Sequence, residues 1–221
     1  MEYGRMVNIE KSGLVGTGHH RECYRHPEDR NLCIKIVVSG NSKEISREKK
    51  HYIRLQKRGI SWDMIPGYHG EIETNMGSGS VFDLVLDHDG AISNNLKYYL
   101  SSNELTEANY SQLSNALDLL KNYLLQHRII TMTLNPNNVL CKKLASGGLR
   151  LYVIDNIGNS DYIPICDVSS YFAKKKILRK WKRFEDKMLG KYKHNNALHK
   201  MLTNTRALEG LTESIHPCSS K

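Results

Sequence analysis

Short apolar runs alternate with polar turns in the first part of the chain, a pattern typical of β-structure. Residues 12–35 predict an extended segment interrupted by Gly16-Thr17-Gly18, and residues 27–31 have the composition of a turn. Residues 32–38 form an apolar, mostly β-branched run that contains a single charge, Lys35. This run predicts a strand that is buried on both faces and carries one lysine.

One helix interrupts this β-rich half. Residues 42–57 place apolar side chains on one side and charges on the others, and Gly59 follows the helix end. Residues 70–74 and 80–86 then predict two antiparallel strands joined by the turn 75–79. The first half of the chain therefore predicts strands, a helix and two further strands.

Helical spacing dominates the second half. Residues 95–101 predict a short helix, and residues 104–127 predict a long one with leucines at near-helical intervals. After a loop, a strand begins at residue 139 and another covers residues 149–154. From residue 167 onward the pattern is helical and basic. An α+β fold class follows from this order of elements.

The composition narrows the functional classes. The chain has 221 residues, of which 39% are hydrophobic and 25% charged, as in ordinary globular proteins. Its five cysteines are odd in number and widely spaced, without a CxxC pair, which argues against a disulfide framework or a zinc ribbon. No apolar run approaches the roughly 18 residues of a membrane span. The start of the chain lacks an apolar signal region, so we expect a cytoplasmic protein.

The net charge of +9 is concentrated in residues 174–193. The same region places Ile177, Trp181, Phe184 and Met188 on one helical face. Two interpretations follow. The helix packs by this face and leaves its lysines in solvent, or it docks an anionic partner such as RNA or membrane headgroups.

Several residues suit phosphate chemistry. Backbone N–H groups in a glycine-bearing turn such as Gly16-Thr17-Gly18 can lie over phosphates, although residues 19–21 read His-His-Arg and lack the third glycine of a GxGxxG pattern. Lys35 can reach phosphates as a point charge. A lysine in an apolar strand needs a carboxylate partner, and the following helix offers Glu48.

Oxygen ligands for Mg²⁺ occur later in the chain. Asn138 follows a loop that contains Pro136, and Asp155 stands at the end of a predicted strand. Amide and carboxylate oxygens are ligands that Mg²⁺ accepts.

In this order of motifs the chain resembles the protein-kinase-like superfamily. More specifically, it is similar to the YrbL family of PhoP regulatory network proteins over about residues 14–184. The family-like stretches include LVGTGHHRECYRHPED, CIKIV, KEISREKKHY, TMTLNPNNVLC and DNIGNSDYIP. The resemblance implies a reduced kinase-like bilobal fold. Its N-lobe, an antiparallel sheet with one helix, would cover residues 1–88. Its C-lobe, which would be shortened and mainly helical, would cover residues 89–205, and a tail would cover residues 206–221.

The resemblance also implies ligands and roles. ATP and Mg²⁺ are the implied cofactors, and the family name implies a bacterial stress-regulatory network. Glu48 matches the kinase helix glutamate better than Glu44 does. The other implied positions are the glycine-loop residues Gly16 and Gly18, the strand lysine Lys35, and the metal ligands Asn138 and Asp155.

One departure concerns catalysis. Thr133 stands where kinases carry the catalytic aspartate, and a threonine hydroxyl cannot accept a proton as a carboxylate does. We expect this change to lower activity by about 10²-fold or more. Asp161 is a possible substitute base. The implied catalytic set is thus Asp155, Lys35 and Thr133. The expected function is an atypical kinase acting on a protein or small molecule, and the alternative is a pseudokinase switch or adaptor without catalysis.

Overall fold

A computed structural model describes the chain over residues 6–18, 20–39, 42–158 and 169–204. It shows an α+β fold that is built on an antiparallel sheet, as the sequence predicts. The order of the strands in this sheet is β1-β2-β3-β5-β4, and a single helix, α1, connects β3 to β4. The elements are β1 (Leu14–Thr17), β2 (Arg21–Arg25), β3 (Leu32–Val37), α1 (Ser42–Lys57), β4 (Tyr68–Thr74) and β5 (Gly77–Asp83).

The turn between β4 and β5 is tighter than the sequence predicts. Only Asn75 and Met76 separate the two strands, because β5 begins at Gly77 rather than at residue 80. Gly77 has φ of +105°, a value that few other residues adopt. The hydroxyl of Thr74 donates to the Gly77 carbonyl at 2.6 Å and accepts from the Met76 N–H at 3.1 Å. These local bonds close the turn and replace the longer loop.

The two faces of the sheet differ in chemistry. Since side chains alternate along a strand, residues two apart share a face. One face packs an apolar cluster that includes Tyr24, Ile34 and Ile36 against Val7 and Ile9. The other face carries alternate residues of β2 and β3, namely Arg21, Cys23, Cys33 and Lys35.

Helices and one hairpin form the rest of the described chain. Further helical turns occupy residues 196–204. The elements are α2 (Leu96–Leu100), α3 (Asn103–Ala108), α4 (Tyr110–Gln126), β6 (Val139–Lys143), β7 (Leu149–Val153) and α5 (Ser170–Lys191).

The single helix predicted over residues 104–127 is wrong, because two helices, α3 and α4, meet at Asn109. The backbone of Asn109 has φ of −116° and ψ of 18°, which is not helical. Its side-chain amide donates to the Leu105 carbonyl at 2.8 Å, and side chains of this type compete with helical backbone bonds. Ser102 caps the start of α3 by accepting the Leu105 N–H at 3.1 Å.

One continuous core joins the sheet to the helices. It runs from Tyr52 and Leu55 of α1 through Leu120 of α4 to Trp181 of α5. The apolar face predicted for the basic helix is confirmed, since Ile177, Trp181, Phe184 and Met188 are all buried. Of the helices in the described residues, none has the length and apolar character needed to cross a membrane.

Gly79 of β5 provides a test of the packing in the sheet. A Cβ at this position would lie 2.5 Å from Cγ2 of the fully buried Ile34. Over-packing of this kind costs about 1–3 kcal/mol, so we expect Gly79→Ala to lower the free energy of unfolding by that amount. Urea denaturation measures it. The control is Gly16→Ala, whose Cβ would meet no atom of the described residues within 4 Å. Equal unfolding midpoints for the two variants would contradict this packing.

Candidate functional site

Lys35 lies beside the segment that follows β7. Its ammonium group donates to the carbonyl of Ile154 at 2.5 Å, although the two residues are 119 positions apart. It also lies 4.7 Å from the centre of the Phe82 ring, a cation–π distance. Since Ile154 directly precedes Asp155, the structure brings together two of the residues singled out from the sequence.

Arg21 joins the two predicted carboxylates. Its Nη1 donates to Oε2 of Glu48 at 2.5 Å, and its Nη2 donates to Oδ1 of Asp155. Burial opposes the charge of the guanidinium, but the carboxylates of Glu48 and Asp155 outweigh it and raise the pKa of Arg21 above its ordinary value. One arginine therefore ties together β2, α1 and the end of the β6–β7 hairpin.

The partner expected for Lys35 is thus taken by another residue. Glu48 is 4% exposed, and its Oε2 accepts a hydrogen bond from Arg21 rather than from Lys35. Its other oxygen, Oε1, is buried and receives no hydrogen bond from the described residues. Arg21 and Lys35 reach the same face of the sheet from neighbouring strands, and the arginine fork is better suited to bind two carboxylates.

Asp155 is held in its charged form. Burial acts to raise its pKa, but the charges of Lys35 and Arg21 outweigh burial and hold the pKa below its ordinary value. The backbone N–H of Asn156 also donates to this carboxylate. Asn156 has φ of +61°, a left-handed conformation that asparagine tolerates better than most residues. The turn after β7 is therefore shaped to present Asp155 between two cations.

Asn138 is placed next to Asp155 by backbone hydrogen bonds. The Ile154 N–H donates to the Asn138 carbonyl at 3.0 Å, and the Met132 N–H donates to the Asn156 carbonyl at 2.7 Å. The loop that contains Thr133 and Asn138 therefore runs alongside the segment that contains Asp155. The side chain of Asn138 makes no hydrogen bond with the described residues, which leaves its amide oxygen for a ligand.

The donor set fits Mg²⁺ only together with phosphates. No group of three or more His, Cys, Asp or Glu side chains among the described residues is arranged to hold a metal. Asn138 and Asp155 offer two oxygen ligands, and Mg²⁺ commonly takes one or two carboxylates, several waters and substrate phosphates. The unsatisfied Oε1 of Glu48 adds a buried acceptor to the same site.

Gly16 and Gly18 lie at the exposed edge of this face. The strand registers align Gly16 with Cys23, and Cys23 with Lys35. At a strand spacing of about 4.8 Å, Gly16 lies about 10 Å from Lys35 across the sheet. Gly18 closes the turn into β2 by donating its N–H to the Arg21 carbonyl at 2.7 Å.

Thr133 forms no hydrogen bond or ion pair with Arg21, Glu48 or Asp155. It is exposed and lines a small pocket with residues of α5, including Lys180 and Arg183. Asp161, the possible substitute base, lies outside the described residues. The structure thus gathers Lys35, Glu48 and Asp155, whereas Thr133 lines a pocket with residues of α5.

Arg21 is the site residue that the sequence analysis missed. It occupies the position where a GxGxxG pattern would have its third glycine, counting from Gly16 and Gly18. The arginine in place of that glycine is therefore the one sequence feature that could have pointed to this residue. An arginine at that position cannot be assigned a partner from sequence, because Glu48 and Asp155 are 27 and 134 residues away.

Removing the arginine charge should destabilise the fold. Arg21→Gln leaves the buried carboxylate of Glu48 without its cation, and breaking a buried pair costs about 3–5 kcal/mol. Urea denaturation at neutral pH measures this loss. Lys49→Gln is the matched control, since it breaks the exposed pair of Lys49 with Glu71 at 2.5 Å and should leave the unfolding midpoint nearly unchanged. Similar midpoints for both variants would mean that Arg21 does not hold the site together.

Acid should weaken the wild-type protein more steeply than Arg21→Gln. A carboxyl whose pKa is depressed on folding stabilises the protein above its unfolded pKa of about 3.9. That contribution is lost as the pH falls through the lower pKa of the folded state. The variant removes one of the two cations beside Asp155, so less stability remains to be lost. Urea midpoints measured from neutral pH downward test this, and parallel curves for the two proteins would contradict it.

Comparison with known proteins gives a consistent result. A family model described as PhoP regulatory network protein YrbL matches residues 7–189. The uncharacterized protein YrbL of Escherichia coli (strain K12) is 42% identical over 182 residues, covering 81% of this chain and 86% of the relative. The uncharacterized protein YrbL of Shigella flexneri gives the same figures. The matched range contains Arg21, Lys35, Glu48 and Asp155.

Proposed function

The chain belongs to the YrbL family of PhoP regulatory network proteins, and from that premise we propose that its cluster of Arg21, Lys35, Glu48 and Asp155 binds Mg·ATP. The observation that carries the proposal is the meeting of Lys35 with the segment that contains Asp155. A lysine and an aspartate from distant parts of the chain share one half-buried site, beside a buried glutamate that has an unsatisfied oxygen. Charged groups with shifted pKa values, here Arg21 and Asp155, are frequent at functional sites.

The phosphates would lie between the sheet and the turn after β7. Lys35 supplies a point charge for them, and the turn that contains Gly16 and Gly18 lies at the exposed edge of the same sheet face, where no large side chain would obstruct them. This order of glycine turn, strand lysine, helix glutamate and late aspartate resembles the protein-kinase plan. The proposal therefore includes a reduced kinase-like bilobal arrangement, with residues 1–88 as one lobe and 89–205 as the other.

The metal would be held by Asn138 and Asp155. The low pKa of Asp155 keeps its carboxylate charged at neutral pH, as a ligand must be. Bound there, Mg²⁺ would neutralise charge on the phosphates. Because Oδ1 of Asp155 accepts a hydrogen bond from Arg21, a metal held there would compete with that arginine for the carboxylate.

The corresponding activity is phosphoryl transfer to a protein or small-molecule hydroxyl. Transfer would break the bond from the γ-phosphorus to the bridging oxygen, form a bond to the acceptor oxygen and release the hydroxyl proton to water, with ADP as product. Such reactions depend mainly on positioning and charge neutralisation. The hydroxyl of Thr133 can orient an acceptor by hydrogen bonding but cannot take its proton at neutral pH.

A second candidate function is a nucleotide-binding switch without transfer. Arg21 favours it, because this one residue engages both carboxylates that the proposed nucleotide site uses. Thr133 favours it as well, since the base expected at that position is absent. In this role, nucleotide binding would alter a surface that a partner contacts.

Binding of Mg·ATP should stabilise the wild-type protein. At a ligand concentration of 100 Kd, the free energy of unfolding rises by about 2.7 kcal/mol. We expect Lys35→Met and Asp155→Asn to lose this increase, because each removes a group that binds phosphate or metal. Urea unfolding with and without Mg·ATP measures the effect. Lys49→Met on α1 is the matched control and should keep it, since Lys49 pairs with Glu71 away from the cluster.

Loss of the stabilisation in the control as well as in the site variants would place the nucleotide elsewhere. No stabilisation of the wild type at millimolar Mg·ATP would contradict both candidate functions. Radiolabel from the γ-phosphate then separates them. Label that moves to the protein or to a lysate component, and fails to move with Asp155→Asn, supports transfer, whereas binding without any label transfer supports the switch.

A further inference from the structure

A pocket lies between the loop after α4 and the basic helix α5. Its volume is about 60 Å³, and it is bounded by residues 132–134 on one side and by α5 on the other. By the same measure one water needs about 10–15 Å³, so the pocket holds a group of several heavy atoms. It lies at Thr133, apart from the contacts that join Arg21 to Glu48 and Asp155.

Three cations line this pocket from one face of α5. Lys180, Arg183 and Lys187 are spaced by three and four residues, which places them on the same side of a helix. No acidic side chain is among the lining residues that the structure describes. Phe184, which is buried in the core, also lines the pocket beside these cations.

The three cations differ in the hydrogen bonds that they form with the protein. Lys180 donates to the Met132 carbonyl, so it ties α5 to the loop. Arg183 and Lys187, by contrast, form no hydrogen bond or ion pair within the part of the chain that the structure describes. A fork-shaped guanidinium and an ammonium group are therefore available to the same small volume, and this pair suits the oxygens of a phosphate.

The loop adds neutral donors. Thr133 carries a hydroxyl, and the backbone N–H groups of Thr133 and Leu134 donate to no acceptor among the described residues. Backbone N–H groups next to cations are a common means of binding anions. The pocket thus combines charge, hydrogen-bond donors and a volume suited to one compact anion.

We propose that this pocket binds the phosphate group of a small phosphorylated molecule. A small pocket with room for one anion fits a phosphate monoester, whereas RNA would require a row of phosphate contacts along the surface. Because Thr133 stands where protein kinases, which the order of motifs resembles, carry a catalytic aspartate, this molecule would be the second substrate of the site. That last assignment depends on the proposed function, while phosphate binding in the pocket does not.

Binding of inorganic phosphate and of glycerol 3-phosphate, measured by isothermal titration calorimetry at constant ionic strength, tests the proposal. The pocket variant is Arg183→Gln with Lys187→Gln. Its matched control is Lys175→Gln with Lys182→Gln, which removes the same charge from exposed positions about a quarter turn or more around α5 from the pocket cations. We expect Kd for both ligands to rise at least tenfold in the pocket variant and to change less than twofold in the control.

Each other outcome has a defined meaning. Equal weakening in both double variants would overturn the proposal and indicate a diffuse basic surface, of the kind that binds RNA. Absence of phosphate binding to the wild type at millimolar concentrations would also overturn it. So would loss of phosphate binding in Lys35→Met with retention in the pocket variant, since the anion would then occupy the other site. Phosphate binding in the pocket without any Mg·ATP binding would contradict the proposed function alone.

Discussion

The contact of Arg21 with two carboxylates determines how the parts of this protein meet. Glu48 is nearly inaccessible to water, and a buried carboxylate without a cation would be costly. Arg21 supplies that cation from β2 and reaches Asp155 with its second nitrogen. Its fork thus links the sheet, α1 and the turn after β7. Lys35, from the neighbouring strand, is left to bind the Ile154 carbonyl and to lie beside Asp155.

This arrangement sets the electrostatics of the candidate site. Two cations face two carboxylates, so the cluster is close to neutral, and Asp155 stays charged because both cations lower its pKa. The pairing is unequal, however. Arg21 binds both carboxylates, while Oε1 of Glu48 stays without a donor among the described residues. If a ligand drew Arg21 away, the buried carboxylate of Glu48 would need another cation. Lys35 could supply it, because it lies on the neighbouring strand and on the same face of the sheet.

Sequence patterns predicted what depends on local periodicity. The antiparallel strands, α1 and the apolar face of α5 follow from alternation and helical spacing, whereas the break at Asn109 depends on one side-chain bond that periodicity does not encode. The ion-pair partner of Glu48 is harder to predict from sequence than either of these features. Arg21 and Lys35 present cations on one face of adjacent strands, and which of them takes the carboxylate is decided by packing between distant segments. Membership of the YrbL family does not by itself identify which of these two cations pairs with Glu48.

The same backbone frame connects the two charged sites. The Met132 and Gly158 N–H groups donate across to Asn156 and Ile130, so the loop that carries Thr133 and the turn that carries Asp155 are held side by side. Lys180 then attaches α5 to this loop through the Met132 carbonyl. A shift of the turn when Arg21 releases Asp155 would therefore be transmitted to the loop that borders the basic pocket. Because α5 is anchored in the core by its apolar face, the loop is the element that would have to move.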